Sequence, residues 1–149
     1  MSAQLSSLRG SAVIAGVGTF GCGEAHGFTE MELLARSARQ AVADAGLKMS
    51  DIDGICTASV SSTMWSMAVP EYLGINPRFL DGTMIGGSSF VAHLMPAMLA
   101  LQSGQCNAVL VCYGSTQRTA TMGRKEMNAS RRVLEPMPYE HPFDPVMPA

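Results

Sequence analysis

The chain has 149 residues, of which 47% are apolar and 15% are charged, a balance that suits a folded domain and excludes an intrinsically disordered chain. A formal charge of −2 gives no electrostatic basis for binding nucleic acid or an anionic membrane. No apolar run approaches the roughly 20 residues of a membrane-spanning helix, and the first ten residues do not form a signal peptide. We therefore expect a cytoplasmic protein that binds small molecules or other proteins.

One amphipathic helix is marked at both of its ends. Small and apolar residues recur at helical spacing from Met31 to Ala45, with charged residues on the opposite side. Thr29 and Glu32 precede this pattern as a capping box, and Gly46 follows it as a left-handed cap. The pattern predicts a helix that lies on a sheet.

Four short runs are predicted to be strands, and the first and last of them are apolar without alternation, which predicts strands buried on both faces. A short helix is predicted at 69–73. The stretch 88–103 is apolar on nearly every side, which predicts a helix buried all round, with a kink at Pro96. The predicted strands are 12–15, 54–58, 79–85 and 107–113.

The four cysteines form no CxxC pair, and most of them lie among apolar or small residues. This pattern predicts reduced thiols that pack as small apolar side chains, and we expect no metal site. These cysteines are Cys22, Cys56, Cys106 and Cys112.

The character of the chain changes at residue 118. Five of the eight prolines fall after residue 135, and basic side chains become frequent. We therefore predict one partial domain over 1–117, followed by a segment 118–149 that begins a loop domain or depends on a partner.

The sequence GVGTFG at 16–21 matches the GxGxxG pattern of dinucleotide-binding proteins and follows a predicted strand. In those proteins the third glycine opens the helix, whereas the helix predicted here begins near Thr29. The acidic residue expected after the next strand is also missing. A glycine-rich turn explains the pattern better, and binding of NAD or FAD is kept as an alternative.

The turn Gly86-Gly87-Ser88-Ser89 lies between a predicted strand and a predicted helix. Backbone N–H groups at such a turn stabilise anions, and the glycines allow a substrate to approach the backbone closely. The alternative is structural, with Ser88 or Ser89 capping the helix while the glycines permit tight packing.

Three runs of the chain share a characteristic order and spacing: AVIAGVGTFG, ELLARSARQAVADAGLKMSDIDGI and GGSSFVAHLMPAMLALQSGQCNAVLVCYGS. They cover most of residues 12–115 and resemble the N-terminal part of the thiolase superfamily, above all sterol-carrier-protein-type thiolases and thiolase-like lipid-transfer proteins or aldolases. The resemblance implies an α/β fold in which a mixed sheet is covered by helices around a central buried helix. It also implies that this half-domain is incomplete here.

The resemblance places the nucleophilic cysteine of thiolases at Gly87. In the family a glycine ends the helix seventeen positions after that cysteine, and Gly104 minus 17 is residue 87. Without a thiolate no acyl-enzyme can form, and the neighbouring Ser88 has no evident base to activate it. The candidate site residues are therefore Gly87, Ser88 and Ser89. The histidines stand in no base motif and are expected to be structural: His26, His93 and His141.

The family's later catalytic segments are absent, so the chain is not expected to be competent alone. The resemblance implies a CoA thioester as substrate, no covalently bound cofactor, and a role in an acyltransferase or retro-aldolase that acts on carbon-carbon bonds next to the thioester. It also implies a homodimer through 79–85, or a hetero-oligomer with a chain that supplies the rest of the fold. A small zinc-ribbon and OB-fold protein is a further candidate partner. The alternative function is a non-catalytic lipid-transfer or scaffold subunit.

Overall fold

The computed structural model describes residues 10–59 and 64–121. The predicted segment 118–149 therefore lies outside the described residues from residue 122 onward. None of the described helices is long and apolar enough to cross a membrane. In chain order the elements are α1 (Glu30–Asp44), a 3-10 turn (Met49–Asp51), β1 (Gly54–Thr57), α2 (Trp65–Leu73), β2 (Phe79–Asp81), α3 (Ser89–Ala92), α4 (Leu94–Gln102), β3 (Val109–Cys112) and α5 (Gln117–Thr121).

The described sheet has three parallel strands in the order β2-β1-β3. β1 is the central strand and is buried along its whole length, with Gly54 opposite Phe79 on one side and Val109 on the other. Buried side chains from α1 and α2 pack against this sheet in one hydrophobic cluster. The predicted α/β fold is thereby confirmed, and the strands that are described run parallel throughout. The cluster includes Leu34, Val42, Ile55, Trp65, Val69 and Leu110.

Helix α1 begins and ends as predicted. The Thr29 hydroxyl accepts a hydrogen bond from the Glu32 amide at 3.2 Å, and the Glu32 carboxylate accepts one from the Thr29 amide at 2.8 Å. The Thr29 hydroxyl also donates to the Glu32 carboxylate at 2.9 Å, and the two bonds that this carboxylate accepts from the Thr29 amide and hydroxyl lower the pKa of Glu32. Gly46 adopts the left-handed conformation with φ of 70°, which the absence of a Cβ allows.

The predicted strand at 12–15 is wrong. These residues are not a strand in the structure, and Val13 and Ile14 are 83% and 76% exposed. A strand requires a hydrogen-bonded neighbour, and none of the three described strands pairs with this run. An apolar run alone therefore did not determine the pairing.

The glycines of the GxGxxG pattern serve close packing against α1. The Val17 amide donates a hydrogen bond to the Asp44 carboxylate at 2.9 Å, which ties this run to the helix. A Cβ on Gly16 would overlap the carbonyl oxygen of Ala41, and one on Gly18 would overlap the helix backbone in the same way. Steric fit thus accounts for these two glycines without a nucleotide.

The predicted helix 88–103 is two helices, α3 and α4, separated at His93. A continuous helix would need the N–H of residue 96 to donate to the Ala92 carbonyl, and Pro96 has no N–H, so the interruption at His93 agrees with the predicted kink. The prediction that this stretch is buried all round is wrong, because Val91, Met95 and Leu99 are 72%, 54% and 49% exposed. Burial needs a second covering layer, and nothing among the described residues covers this face.

The predicted third and fourth strands are shorter in the structure. β2 ends at Asp81, and β3 alternates between buried and half-buried residues rather than being buried throughout. Both are edge strands of the described sheet, so each has one neighbour and one less protected side. The dimer predicted through 79–85 involves one of these edges, and it stays a prediction.

Asp53 links the starts of all three strands through its carboxylate and its backbone carbonyl. Asp53, just before β1, accepts hydrogen bonds from the amides of Asn107 and Ala108 at 2.7 and 2.9 Å, and from the Asn107 side chain at 2.9 Å. Its backbone carbonyl accepts from the amides of Arg78 and Phe79. Burial opposes the charged form, but the hydrogen bonds from Ala108 and Asn107 outweigh it and lower the pKa of Asp53.

We expect Asp53→Ala to lower the free energy of unfolding by roughly 2 kcal/mol at pH 7, because the partly exposed amides of Asn107 and Ala108 lose a charged acceptor. The folded-state pKa lies below the ordinary value of about 3.8, so this stabilisation is fully present above that pH and is lost as the pH falls further. Urea denaturation of the full chain from pH 7 down to pH 3 measures both effects. Glu71→Ala, at an exposed carboxylate on α2, is the control, and equal effects of the two variants would contradict the prediction.

Candidate functional site

The carboxyl ends of the three parallel strands meet at one edge of the sheet, the edge at which α/β proteins place their ligands. β1 ends at Thr57, β2 at Asp81 and β3 at Cys112. The turn 86–89 follows β2 after only four residues, so it lies on this side of the sheet. The predicted site residues therefore lie at the edge of the sheet at which α/β proteins bind their ligands.

Gly87 and Ser88 form the exposed tip of the turn. A Cβ on Gly87 would have no other described residue within 4 Å apart from its chain neighbours, so the space that a side chain would fill there is open in the described part of the chain. The backbone of Gly87 forms an isolated bridge with that of Ile85. Gly86 precedes them with φ of 82°, a conformation that glycine adopts without strain. The tip thus presents an exposed backbone and no side chain at position 87.

Ser89 differs from Ser88 in being fully buried. Its hydroxyl accepts a hydrogen bond from the Ile85 amide at 2.9 Å and donates one to the Gly86 carbonyl at 2.7 Å. Ser88 occupies the N-cap position of α3 but makes no side-chain cap bond. Neither serine therefore caps the helix as the structural alternative predicts, and the Ser89 hydroxyl instead ties the turn to the helix start.

His93 binds the other end of the same loop. Its side chain is fully buried, and Nε2 lies 2.9 Å from the carbonyl oxygen of Thr83. The Thr83 amide in turn donates to the Asp81 carboxylate at 2.7 Å. Burial raises the pKa of Asp81, but the bonds from Thr83 and the nearby His93 outweigh that effect and lower it.

His26 takes no part in the hydrogen bonds that hold the turn. His26 is exposed and pairs with Glu24 at 3.1 Å, and His141 lies outside the described residues. α3 has only four residues, so the macrodipole of a long helix does not act on the turn. Any oxyanion at the tip would therefore depend on the individual N–H groups of Gly87 and Ser88.

The buried cysteines do not replace a nucleophile at position 87. Burial raises the pKa of both Cys56 and Cys112 to about 12, and that of Cys106 is also raised by burial. A thiol must lose its proton to attack, so these three are inert near neutral pH. The prediction of unpaired cysteines is confirmed, although Cys22 is exposed. Over residues 10–59 and 64–121, no three side chains form a group suited to a metal ion.

Sequence reasoning missed the residues that support the turn. Asp81 and Thr83 both lie within the run predicted as the strand 79–85, which gave neither of them a role at the turn. The signal that could have found His93 is its spacing, because residues 89 and 93 share one face of a helix. An aromatic contact at the same edge was missed as well: the rings of Phe90 and Tyr113 have centroids 4.5 Å apart.

Two curated relatives are named as an aldolase and a CoA lyase. The chain is 33% identical over 110 residues to a steroid side-chain-cleaving aldolase of Thermomonospora curvata, which covers 73% of this chain and 28% of the relative. It is 30% identical over 113 residues to a 17-hydroxy-3-oxo-4-pregnene-20-carboxyl-CoA lyase of Mycobacterium tuberculosis, covering 75% and 29%. The chain thus spans less than a third of the length of these relatives. No protein-family profile matches it.

Two solved structures share the fold. A structure described as Ltp2-ChsH2(DUF35) aldolase has a TM-score of 0.65 and 28% identity, covering 71% of this chain and 28% of that one. A monomeric SCP2-thiolase-like protein type 1 of Mycobacterium smegmatis has a TM-score of 0.54 and 25% identity, covering 66% and 22%. The second protein is monomeric by its description, so likeness to it does not support the predicted dimer.

Proposed function

Because this chain belongs to the thiolase-like proteins, we propose that it is the CoA-thioester-binding part of an aldolase that cleaves the carbon-carbon bond next to the thioester carbonyl. The observation that carries this proposal is its likeness, along about three quarters of its length, to two enzymes named as an aldolase and a CoA lyase. The geometry of the turn supports the same conclusion.

The missing side chain at position 87 fits this reaction. In our proposal Gly87 occupies the position of the thiolase cysteine, so no acyl-enzyme forms and the thioester lies in the open space above the turn. Ser88 borders that space, and Ser89 orders the backbone below it. Retro-aldol cleavage needs no covalent intermediate, which makes a turn without a nucleophile compatible with catalysis.

The proposed cleavage begins when a base removes the proton of the hydroxyl on the carbon β to the thioester. The bond between the α and β carbons then breaks, giving a ketone or aldehyde and a thioester enolate. The electron pair of the broken bond moves to the thioester oxygen, and a proton added at the α carbon completes the shortened acyl-CoA. The N–H groups of Gly87 and Ser88 would stabilise the enolate oxygen. We assign the base to the part of the assembly that this chain does not supply.

A partner chain is part of the proposal. The chain spans less than a third of its relatives, and two of its apolar surfaces are exposed. Such surfaces are typical of protein interfaces. The two-part name of the Ltp2-ChsH2(DUF35) aldolase supports a second component, for which a zinc-ribbon and OB-fold protein remains our candidate. The first surface comprises Val13, Ile14 and Val17, and the second comprises Val91, Leu94, Met95 and Leu99.

The test uses the full chain, purified together with any partner protein that co-purifies with it. We expect 17-hydroxy-3-oxo-4-pregnene-20-carboxyl-CoA, the thioester named for the Mycobacterium tuberculosis relative, to bind by calorimetry and to be cleaved into a ketone and a shorter acyl-CoA, measured by mass spectrometry. No binding at millimolar thioester would overturn the proposal. Binding without cleavage, for this and other β-hydroxyacyl-CoA thioesters, would favour the alternative of a non-catalytic lipid-transfer or scaffold subunit.

A further inference from the structure

A buried histidine is an unusual choice for a position that only needs to fill space. His93 is 0% exposed, and its ring lies edge-to-face with the Phe90 ring, with the two ring centroids 5.9 Å apart. The carbonyl of Thr83 can only accept a hydrogen bond, so Nε2 of the histidine carries the proton and donates it. Nδ1 is then left buried with no hydrogen-bond partner in the described part of the chain. An apolar ring would avoid that unsatisfied atom, so the bond to Thr83 is what a histidine adds here.

His93 and Ser89 together hold both ends of the loop below the exposed tip. They lie four residues apart on one face, and the His93 amide donates to the Ser89 carbonyl at 2.8 Å. Ser89 binds Ile85 and Gly86, whereas His93 binds Thr83, which Asp81 also holds. The loop is thus fixed by side chains along its whole length up to Gly86.

We propose that His93 is a positioning residue that keeps the N–H groups of Gly87 and Ser88 in place for the reaction. This inference rests on the proposed function. Gly86 and Gly87 have the largest backbone freedom of any residues, so the tip depends on its anchors for a defined geometry. Donors aimed at a developing oxyanion act mainly in the transition state, and their misplacement lowers kcat more than it raises KM.

Two substitutions separate the hydrogen bond from simple packing. His93→Gln keeps an N–H donor at about the reach of Nε2, whereas His93→Phe keeps a ring and removes the donor. His26→Phe makes the same change at an exposed histidine and serves as the matched control. In the full chain, we expect His93→Phe to speed hydrogen exchange at the bonded amides of Thr83 and Ile85 by at least tenfold, while α1 is unaffected and His93→Gln stays near wild type.

Exchange at the Thr83 and Ile85 amides equal to wild type in His93→Phe would overturn the inference. An equal increase in α1 would also overturn it, because it would show a general loss of stability. In the cleavage assay we expect His93→Phe to lower kcat about tenfold with KM changed less than twofold, and His93→Gln to restore kcat. If the wild-type assembly cleaves no thioester, the proposed function fails, and the exchange measurement still decides whether His93 orders the turn.

Discussion

Gly87→Cys is expected to fold normally and to be acylated by a CoA thioester. A Cβ at this position meets no atom within 4 Å, and the backbone is not in the left-handed region, so the new side chain costs little stability. If the thioester lies above Gly87 as proposed, the cysteine sulfur attacks its carbonyl carbon, the bond to the CoA sulfur breaks, and CoA leaves as the thiol. Proximity should make this at least about a hundredfold faster than acylation of a distant exposed cysteine.

The experiment requires a background without the other exposed thiol, so Cys22→Ser is combined with Gly87→Cys. The buried cysteines stay protonated and do not compete. Intact-mass spectrometry of the full assembly follows acyl transfer from acyl-CoA over time. The wild-type chain, with its exposed Cys22, gives the rate for a cysteine away from the turn. Equal rates at positions 87 and 22 would show that the thioester does not bind at this turn.

Gly18→Ala is expected to lower the free energy of unfolding by about 3 kcal/mol. The added Cβ would overlap the carbonyl oxygen of Ser37 and lie 2.8 Å from the Cβ of Gln40. Backbone atoms within a helix cannot move aside without breaking its hydrogen bonds, so the extended run must shift away from α1. That shift would also break the bond between Val17 and Asp44. Urea denaturation of the full chain, followed by circular dichroism, measures the loss.

Gly87→Ala is the matched control for this substitution. It makes the same chemical change at a glycine with open space around it, and we expect a change below about 0.5 kcal/mol. A similar loss of stability in both variants would mean that close packing against α1 is not the reason for Gly18.

Melting temperatures with and without NAD test the remaining nucleotide alternative, since a ligand of the native state raises the melting temperature.

The ends of α1 were predictable because their causes are local. Thr29, Glu32 and Gly46 act through hydrogen bonds and backbone conformations within a few residues of each helix end. The strand β1 was predictable because the run 54–58 contains no charged residue, which suits a strand that the structure buries along its whole length. The run at 12–15 looks equally apolar, and it failed as a strand because pairing depends on a distant neighbour.

At the turn that carries the candidate site, some features were likewise predictable from the sequence and others depended on the tertiary structure. The sequence alone predicted three properties of the turn: its location between a strand and a helix, the glycine at position 87 and the likeness to thiolases. All three depend only on the order of residues. Only the tertiary structure separated the exposed Ser88 from the buried Ser89 and brought His93 to the carbonyl of Thr83. Those contacts depend on how α3 lies against the loop after β2, which hydrophobic periodicity does not encode. A position without a side chain was thus predictable from the sequence, whereas the groups that hold its backbone in place were decided by packing.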